Sequence, residues 1–300
     1  MISRLDQKTT STLYTHFAQQ LEASCFSGDI ELDYAGRAVL STDNSIYQVM
    51  PEGVLYPRST GDISKMFTLA ATEPFRQIVL SPRGGGTGTN GQSLTSGFMV
   101  DTSRYMNQVL EINPEERWAR VQSGTVKDDL NEQVAREGLF FAPELSTSNR
   151  ATVGGMVNTD ASGQGSVVYG KTRHHVLELT SVLPDGTVWH SFPMDSHELD
   201  QLCQRQDRIG NIHQTLKAVH EQHHERVTEI FPKLNRNLTG YDLAHIFNTE
   251  GQFDLNAILC GSEGTLSMVS EIKVNLLPIP THSALVLVFY KSFQESLQDA

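Results

Sequence analysis

The segment from Pro82 to Gly91 has the composition of an anion-binding loop, because five of its ten residues are glycine. Glycine adopts a positive φ readily and lacks a Cβ, so successive backbone N–H groups can converge on one anion. Arg83 and the threonine hydroxyls provide further donors. A flexible surface loop could have the same composition, but the apolar run at residues 77–81 predicts a strand that leads directly into this segment, which favours a fixed binding element.

Two common phosphate-binding motifs nearly match this loop, and both fail on a required feature. Gly86-x-Gly88-x-x-Gly91 matches the dinucleotide fingerprint, which needs a helix that begins at the loop. Residues 92–97 show no helical apolar face, and a new strand is predicted from Phe98. The spacing from Gly86 to Gly91 also resembles a P-loop, but Gln92 stands where the phosphate-binding lysine is needed. The sequence therefore argues against both a Rossmann site and ATP hydrolysis.

The hydrophobic pattern predicts an α+β chain whose glycines concentrate at strand ends. Strands are predicted at residues 53–57, 77–81, 98–101, 109–112, 118–122, 176–183, 188–192, 258–259, 266–276 and 283–290. Helices are predicted at residues 10–25, after a cap within 59–62, at 127–137, across 198–230 and from 291. A chain of 300 residues is expected to form one large domain or two subdomains.

Bulk composition argues against several classes of function. The formal net charge is −12 with no basic block, so nucleic acid is not an expected partner. No apolar run approaches the roughly 18–20 residues of a membrane span, so an integral membrane protein is not expected. Residues 1–20 lack a signal-peptide pattern, and Cys25, Cys203 and Cys260 are far apart, which predicts reduced thiols and a cytoplasmic protein.

Short motifs follow one another in a fixed order over about residues 40–280. They occupy residues 57–62, 82–91, 99–107, 121–125, 143–163, 169–186 and 259–274. In this order they resemble the FAD-binding (PCMH-type) domain shared by vanillyl-alcohol oxidase and the FAD-linked 2-hydroxy-acid dehydrogenases. The resemblance implies an α+β, two-subdomain FAD-binding fold, followed by the start of a C-terminal substrate domain.

The resemblance also implies a division of the chain into three parts. They are a helical and extended lead-in at residues 1–48, the FAD-binding domain at 49–280, and the start of the substrate domain at 281–300. The sequence ends on an apolar run followed by the opening of a helix, and a natural domain seldom stops within such a unit. We therefore expect a continuation of the substrate domain after residue 300.

The same resemblance assigns cofactor contacts residue by residue. The FAD pyrophosphate would be wrapped by the backbone of Arg83, Gly84, Gly85, Gly86, Thr87 and Gly88. The isoalloxazine and ribityl portions would lie against Pro143, Leu145, Thr152, Gly155, Ser162 and Gly163, with Val269 touching the cofactor from the last strand. Gly154 and Gly155 could instead simply make a tight turn from strand to helix. Some relatives bind flavin covalently through a histidine in the glycine loop, and because Thr87 takes that place here, dissociable FAD is expected.

The implied reaction is the oxidation of a D-2-hydroxy acid by hydride transfer to N5 of FAD. The family members most similar in sequence are long bacterial proteins that fuse such a dehydrogenase to an iron–sulphur module, and the similarity is strongest at residues 41–47, 140–155 and 158–172. This similarity makes D-2-hydroxyglutarate the first expected substrate. Arg236 would clamp the substrate carboxylate and Thr239 would donate a hydrogen bond, although Arg236 could equally be a surface residue at a helix end.

The other groups that this reaction needs are expected outside residues 1–300. The catalytic base, any metal ligands and any iron–sulphur cluster would follow residue 300. Electrons would pass to the iron–sulphur module or to another acceptor, and the protein would be cytoplasmic or peripheral at the inner membrane.

Two other functions and a metal site are alternatives to this hypothesis. UDP-N-acetylenolpyruvoylglucosamine reductase shares the FAD fold and uses NADPH, but the segments 239–243 and 261–266 argue against it. An FAD-binding module that is inactive in isolation is the non-enzymatic alternative. His220 and His224 are one helical turn apart, as in some metal sites, yet the surrounding residues are typical of a solvated helix face, so no metal site is predicted.

Overall fold

The computed structural model describes residues 9–234 and 240–299 of the chain. A first sheet holds four strands in the order β1-β2-β4-β3, with β1 at Asp29–Glu31, β2 at Gly53–Tyr56, β3 at Leu80–Arg83 and β4 at Phe98–Asp101. β2 and β3 run parallel to β4, whereas β1 runs antiparallel to β2. Every residue of β2 and β4 is buried, as expected for central strands covered on both faces.

Three helices accompany the first sheet: α1 at Thr12–Ala23, α2 at Tyr34–Val39 and α3 at Thr60–Ala70. The predicted cap of α3 is confirmed, because the Ser59 hydroxyl accepts a hydrogen bond from the N–H of Asp62 at 3.1 Å. The core of this part brings Phe17 and Leu21 of α1 against Ile63 and Met66 of α3. Lead-in residues therefore supply both a strand and a core helix to the first sheet.

A second sheet is antiparallel and has five strands in the order β5-β6-β10-β8-β9. The remaining strands are β5 at Val109–Asn113, β6 at Trp118–Gln122, β7 at Leu139–Phe140, β8 at Val176–Val182, β9 at Val188–Ser191, β10 at Met268–Asn275 and β11 at Leu277–Pro278. β7 and β11 form a separate antiparallel pair. The late strand β10 lies at the centre of the second sheet, between β6 and β8.

Seven further helices complete the described part of the chain. They are α4 at Lys127–Val134, α5 at Val153–Thr159, α6 at Ser166–Tyr169, α7 at Ser196–Cys203, α8 at Arg208–Ile230, α9 at Asn256–Leu259 and α10 at Phe293–Asp299. α5 packs on β6 and β10 through Val153, Met156 and Val157, which are all buried. α3 also packs on β8 and β10, and the Thr60 hydroxyl donates to the Ser270 hydroxyl at 3.0 Å. The two sheets are thus joined through α3.

Three predicted strands differ from the structure. Residues 258–259 lie in the short helix α9, and the strand predicted at 77–81 begins only at Leu80, after a turn of 3₁₀ helix. Residues 283–290 form no strand with any described residue, and Leu285 and Phe289 are 87% and 91% exposed. At residues 258–259 the apolar run was too short to distinguish helix from strand. At residues 283–290 the apolar run indicates a segment suited to burial, but it does not indicate which part of the protein would cover it.

The Glu178 carboxylate on β8 joins three adjacent strands of the second sheet. It accepts hydrogen bonds from Arg120 of β6 at 2.7 Å and from Lys273 of β10 at 2.9 Å. Desolvation alone would raise the pKa of Glu178, but the hydrogen bonds from Lys273 and Arg120 outweigh it and lower the pKa to about 2. Since the pKa of Glu178 in the folded protein lies below its ordinary value of 4.5, this carboxylate stabilises the fold above pH 4.5, and the contribution is lost as the pH falls towards 2.

We expect Glu178→Gln to have a lower free energy of unfolding than wild type at pH 7. In acid, the two proteins should become equally stable. The difference between wild type and variant, measured by urea unfolding, should be largest above pH 4.5 and close to zero near pH 2. Glu111→Gln is the matched control, because Glu111 is an exposed glutamate on β5, the edge strand of the same sheet. A wild-type-to-Glu178→Gln difference that does not change with pH would contradict the assignment.

Candidate functional site

A cleft of about 330 Å³ lies where the ends of the two sheets meet. One wall is the glycine loop at residues 82–93, which follows β3. The opposite wall comes from residues 145–162, which include α5, and from residues 263–269, which lead into β10. Thr102 after β4 and Ser123 after β6 lie at the cleft as well. The cleft is therefore formed by turns at strand ends on one side and by α5 with its flanking loops on the other.

Ten of the thirteen residues predicted to contact a cofactor line this one cleft. They are Arg83, Gly84, Gly86, Thr87, Gly88, Leu145, Thr152, Gly155, Ser162 and Val269. The structure thus brings together residues that are up to 186 positions apart in the sequence. Their individual roles towards a cofactor stay predictions.

The other three predicted residues lie beside the cleft and do not line it. A Cβ on Gly85 would lie 2.0 Å from the carbonyl oxygen of Arg150, and one on Gly163 would lie 2.2 Å from that of Glu144. Pro143 is buried next to this second contact. At Gly85 and Gly163 the missing side chain therefore allows two backbone segments to approach each other, which the sequence pattern does not distinguish from approach of a ligand.

The cleft presents polar groups that lack partners inside the protein. No described residue accepts a hydrogen bond from the backbone N–H groups of residues 84–89. The Ser123 hydroxyl and the Asn158 side-chain oxygen are buried at the cleft, and neither has a hydrogen-bond partner among the described residues. Buried polar groups are normally satisfied, so this set suits a ligand that combines an anion with hydroxyl or ring polar atoms.

The Arg83 guanidinium is directed towards the lead-in segment. It donates to the carbonyl oxygen of Thr42 at 2.8 Å and to that of Leu40 at 3.3 Å. Burial lowers the pKa of Arg83, and the charges of Asp101 and Asp43 oppose this effect. Both the backbone and the side chain of Arg83 were predicted to be anion donors, whereas the structure shows the guanidinium bound to carbonyl oxygens of another segment.

A buried ionic cluster lies at the end of α5 and was missed by sequence reasoning. Asp160 lines the cleft and is fully buried, with a φ of 45°. Its carboxylate contacts the Lys171 ammonium at 3.0 Å and the Arg173 Nε at 2.6 Å, and the Arg173 guanidinium also pairs with Asp242. These residues stand within the motifs at 143–163 and 169–186 and the segment 239–243, but a single sequence does not show that they meet.

Glu263 is another residue at the cleft that was not predicted. It has a φ of 51° and donates its backbone N–H to the carbonyl oxygen of Asn158 at 2.9 Å. A left-handed conformation is uncommon outside glycine and is often found at functional sites. The GSEGT motif that contains Glu263 was the available signal, since it matched the family pattern in sequence.

The two predicted substrate residues, Arg236 and Thr239, lie outside the described residues. The segment that follows them contacts residues adjacent in sequence or space to the cleft lining, because the Tyr241 hydroxyl lies 2.8 Å from the Thr265 hydroxyl and Asp242 pairs with Arg173, which binds Asp160. The His220 and His224 rings stack with their centroids 5.4 Å apart. Among residues 9–234 and 240–299, no group of three or more His, Cys, Asp or Glu is placed to hold a metal ion. In the same ranges, no helix has the length and apolarity needed to cross a membrane.

Comparison with known proteins extends these observations. A family model described as an FAD-binding domain matches residues 51–191. The chain is 55% identical over 300 residues to the D-2-hydroxyglutarate dehydrogenase of Pseudomonas putida, covering 100% of this chain and 30% of that protein. It is 50% identical over 289 residues to the Escherichia coli enzyme of the same name, covering 96% of this chain and 28% of that protein. The chain therefore spans less than a third of the length of these two relatives.

The fold is also found among solved structures. Alkyldihydroxyacetonephosphate synthase superposes with a TM-score of 0.61 at 18% sequence identity, covering 93% of this chain and 48% of that one. At this identity the likeness shows the fold alone. Together with the family match, it confirms the predicted α+β FAD-binding fold.

Proposed function

We propose that the cleft between the two sheets is the FAD site of this chain, because residues 51–191 match the model of an FAD-binding domain family. The main support for the proposal is that ten residues predicted to contact the cofactor line one cleft, where the backbone N–H groups of residues 84–89 have no acceptor among the described residues. The N–H groups of residues 84–89 would hold the pyrophosphate, as the glycine composition of the loop favours. Domain limits at residues 49–280, with a substrate domain starting at 281, are part of the same proposal.

The second wall would receive the flavin. Leu145, Thr152, Gly155 and Val269 would contact the isoalloxazine and ribityl portions, and the Ser123 hydroxyl would find its missing partner there. Gly155 presents no side chain to the cleft, which leaves room for close approach of a flat ring. Thr87, in the place where some relatives carry a histidine, supports dissociable FAD.

We extend the proposal to the reaction of the whole protein, since this chain spans less than a third of its relatives. The substrate class is a D-2-hydroxy acid, and D-2-hydroxyglutarate is the substrate named in both relatives. The chemistry that bound FAD supplies is acceptance of a hydride from the carbon that bears the hydroxyl. The part described here binds and orients, and the electron acceptor would be an iron–sulphur module or another partner.

Anaerobic reduction of the FAD-loaded, full natural protein tests this function. D-2-hydroxyglutarate should bleach the visible flavin absorbance, whereas L-2-hydroxyglutarate, which presents its hydrogen on the other face, should not. Bleaching by D-lactate alone would overturn the proposed substrate. A protein whose absorbance and fluorescence never change on addition of FAD would overturn the cofactor site itself.

A further inference from the structure

Residues 41–49, here called the N-terminal strap, form a closed loop beside the glycine loop. Thr42 and Gln48 pair as an antiparallel bridge, and the Val49 N–H donates to the Ser41 carbonyl oxygen at 2.9 Å. The Asp43 carboxylate accepts the N–H of Ser45 at 2.8 Å within the strap. The strap is therefore closed at its base by backbone hydrogen bonds and shaped internally by one carboxylate.

The strap contacts the glycine loop along its length. The Asn44 N–H donates to the Gly86 carbonyl oxygen at 3.0 Å, and the Ser93 hydroxyl donates to the Asp43 carboxylate at 2.9 Å. The Tyr47 ring lies so close to Gly91 that a Cβ there would be 2.9 Å from Cδ2 of the ring. With Arg83 bound to the strap carbonyl of Thr42, the beginning, middle and end of the loop are all attached.

The charges at this contact favour an ionised Asp43. Burial raises the pKa of Asp43, but hydrogen bonds from Ser45 and Ser93 and the charge of Arg83 outweigh it and leave the pKa below its ordinary value. Asp43 does not line the cleft, whereas Arg83 and Gly86 do. A change at Asp43 therefore reaches the cleft only through the loop.

We propose that the N-terminal strap positions the glycine loop for the cofactor pyrophosphate, with Asp43 and Arg83 as the two positioning residues. This inference rests on the proposed FAD site. Gly86, at a φ of 62°, and the glycines around it leave the loop many conformations, and the strap selects the one in which the N–H groups of residues 84–89 stay available. Ordering the loop in advance removes part of the entropic cost of binding. The Arg83 side chain then acts through loop shape.

The test measures FAD dissociation constants of the chain and its variants by equilibrium dialysis and by quenching of flavin fluorescence. Asp43→Ala removes the carboxylate oxygens that accept hydrogen bonds from Ser45 and Ser93. The variant should bind FAD about tenfold more weakly, because a tenfold change in the dissociation constant corresponds to about 1.4 kcal/mol, the size of the contribution expected from these hydrogen bonds. Asp43→Asn keeps an acceptor for Ser45 and should restore part of the affinity. Asp33→Ala is the matched control, because Asp33 accepts two backbone N–H groups at the start of α2 and does not line the cleft.

A double-mutant cycle separates positioning from direct contact. If Arg83 acts through the strap, the double variant Asp43→Ala, Arg83→Gln should bind FAD with the same affinity as whichever single variant binds FAD more weakly. Additive losses would show a direct contact between Arg83 and the phosphates and would overturn its positioning role. If wild type binds FAD and both Asp43 variants bind it with wild-type affinity, the strap proposal is overturned and the proposed FAD site is not. If wild type does not bind FAD, the proposed function itself is overturned. Should Asp43→Ala not fold, Asp43→Asn against Asp33→Asn gives the same comparison.

Discussion

Replacing Gly155 by valine should weaken FAD binding by about 10- to 100-fold while the protein remains folded. Gly155 lies in α5 and lines the cleft, and a Cβ there would have only the Thr152 hydroxyl within 4 Å, at 3.2 Å. The added side chain would therefore find little resistance from the protein and would occupy space proposed for the flavin. Valine also has a better helix propensity than glycine, so α5 itself should not be weakened.

The effect is read from FAD titrations of wild type and variant, with the unfolding free energy of the FAD-free protein measured alongside. Gly61→Val is the control, because Gly61 is an exposed glycine of α3 whose Cβ would lie 3.5 Å from the nearest atom, the Ser59 hydroxyl. Gly84 and Gly154 are poor choices, since a Cβ would lie 2.1 Å from the Thr152 hydroxyl or 2.6 Å from the Ser123 Cβ and the fold itself would shift. Wild-type affinity in Gly155→Val would place the flavin elsewhere.

Asp160→Asn should lower the free energy of unfolding by about 3–5 kcal/mol. Asp160 is fully buried and neutralises Lys171 and Arg173, whose side chains are 7% and 11% exposed. Asparagine has the same size but no charge, so both cations would remain in the interior, and among the described residues Arg173 would keep its ion pair with Asp242 while Lys171 would have none. Leaving buried charges uncompensated is what makes such a change severe.

Urea unfolding of the FAD-free protein measures this loss. Asp200→Asn is the control, because Asp200 pairs with Lys217 at 2.7 Å on the exposed surface and should contribute far less. Asp160→Asn combined with Lys171→Met should recover part of the stability, since one of the two uncompensated cations is then removed. Equal losses for Asp160→Asn and Asp200→Asn would contradict a buried role for the cluster.

The glycine loop and the order of motifs allowed most of the candidate site to be predicted, because local composition carries that information. Gly85 and Gly163 show the limit: a residue that must lack a Cβ looks the same whether ligand or backbone lies against it. The pairing of Arg173 with Asp160 and with Asp242 could not be predicted, because these contacts span 13 and 69 positions and form only in the folded chain. The strap was missed for the same reason, as Asp43 and Ser93 are 50 positions apart.

The secondary structure followed a similar rule. Elements with clear periodicity and a cap, such as α3 and the hairpin of β8 and β9, lie close to their predicted limits. At residues 258–259 tertiary packing decided between helix and strand, and the helix α9 is buried beside β8. At residues 283–290 the apolar pattern was strong, yet no described neighbour covers it.

The central place of β10 in the second sheet bears on how the chain acquires its cofactor during synthesis. The first sheet is complete once residue 101 has been made, whereas β6 and β8 have no strand between them until residues 268–275 emerge from the ribosome. Those residues also bring Val269 to the cleft. A nascent chain would thus carry a finished glycine loop well before it has a second wall to close on a flavin, and its long-range β pairing would be among the slow steps of folding. With FAD bound in this cleft as proposed, its capture would follow the synthesis of β10.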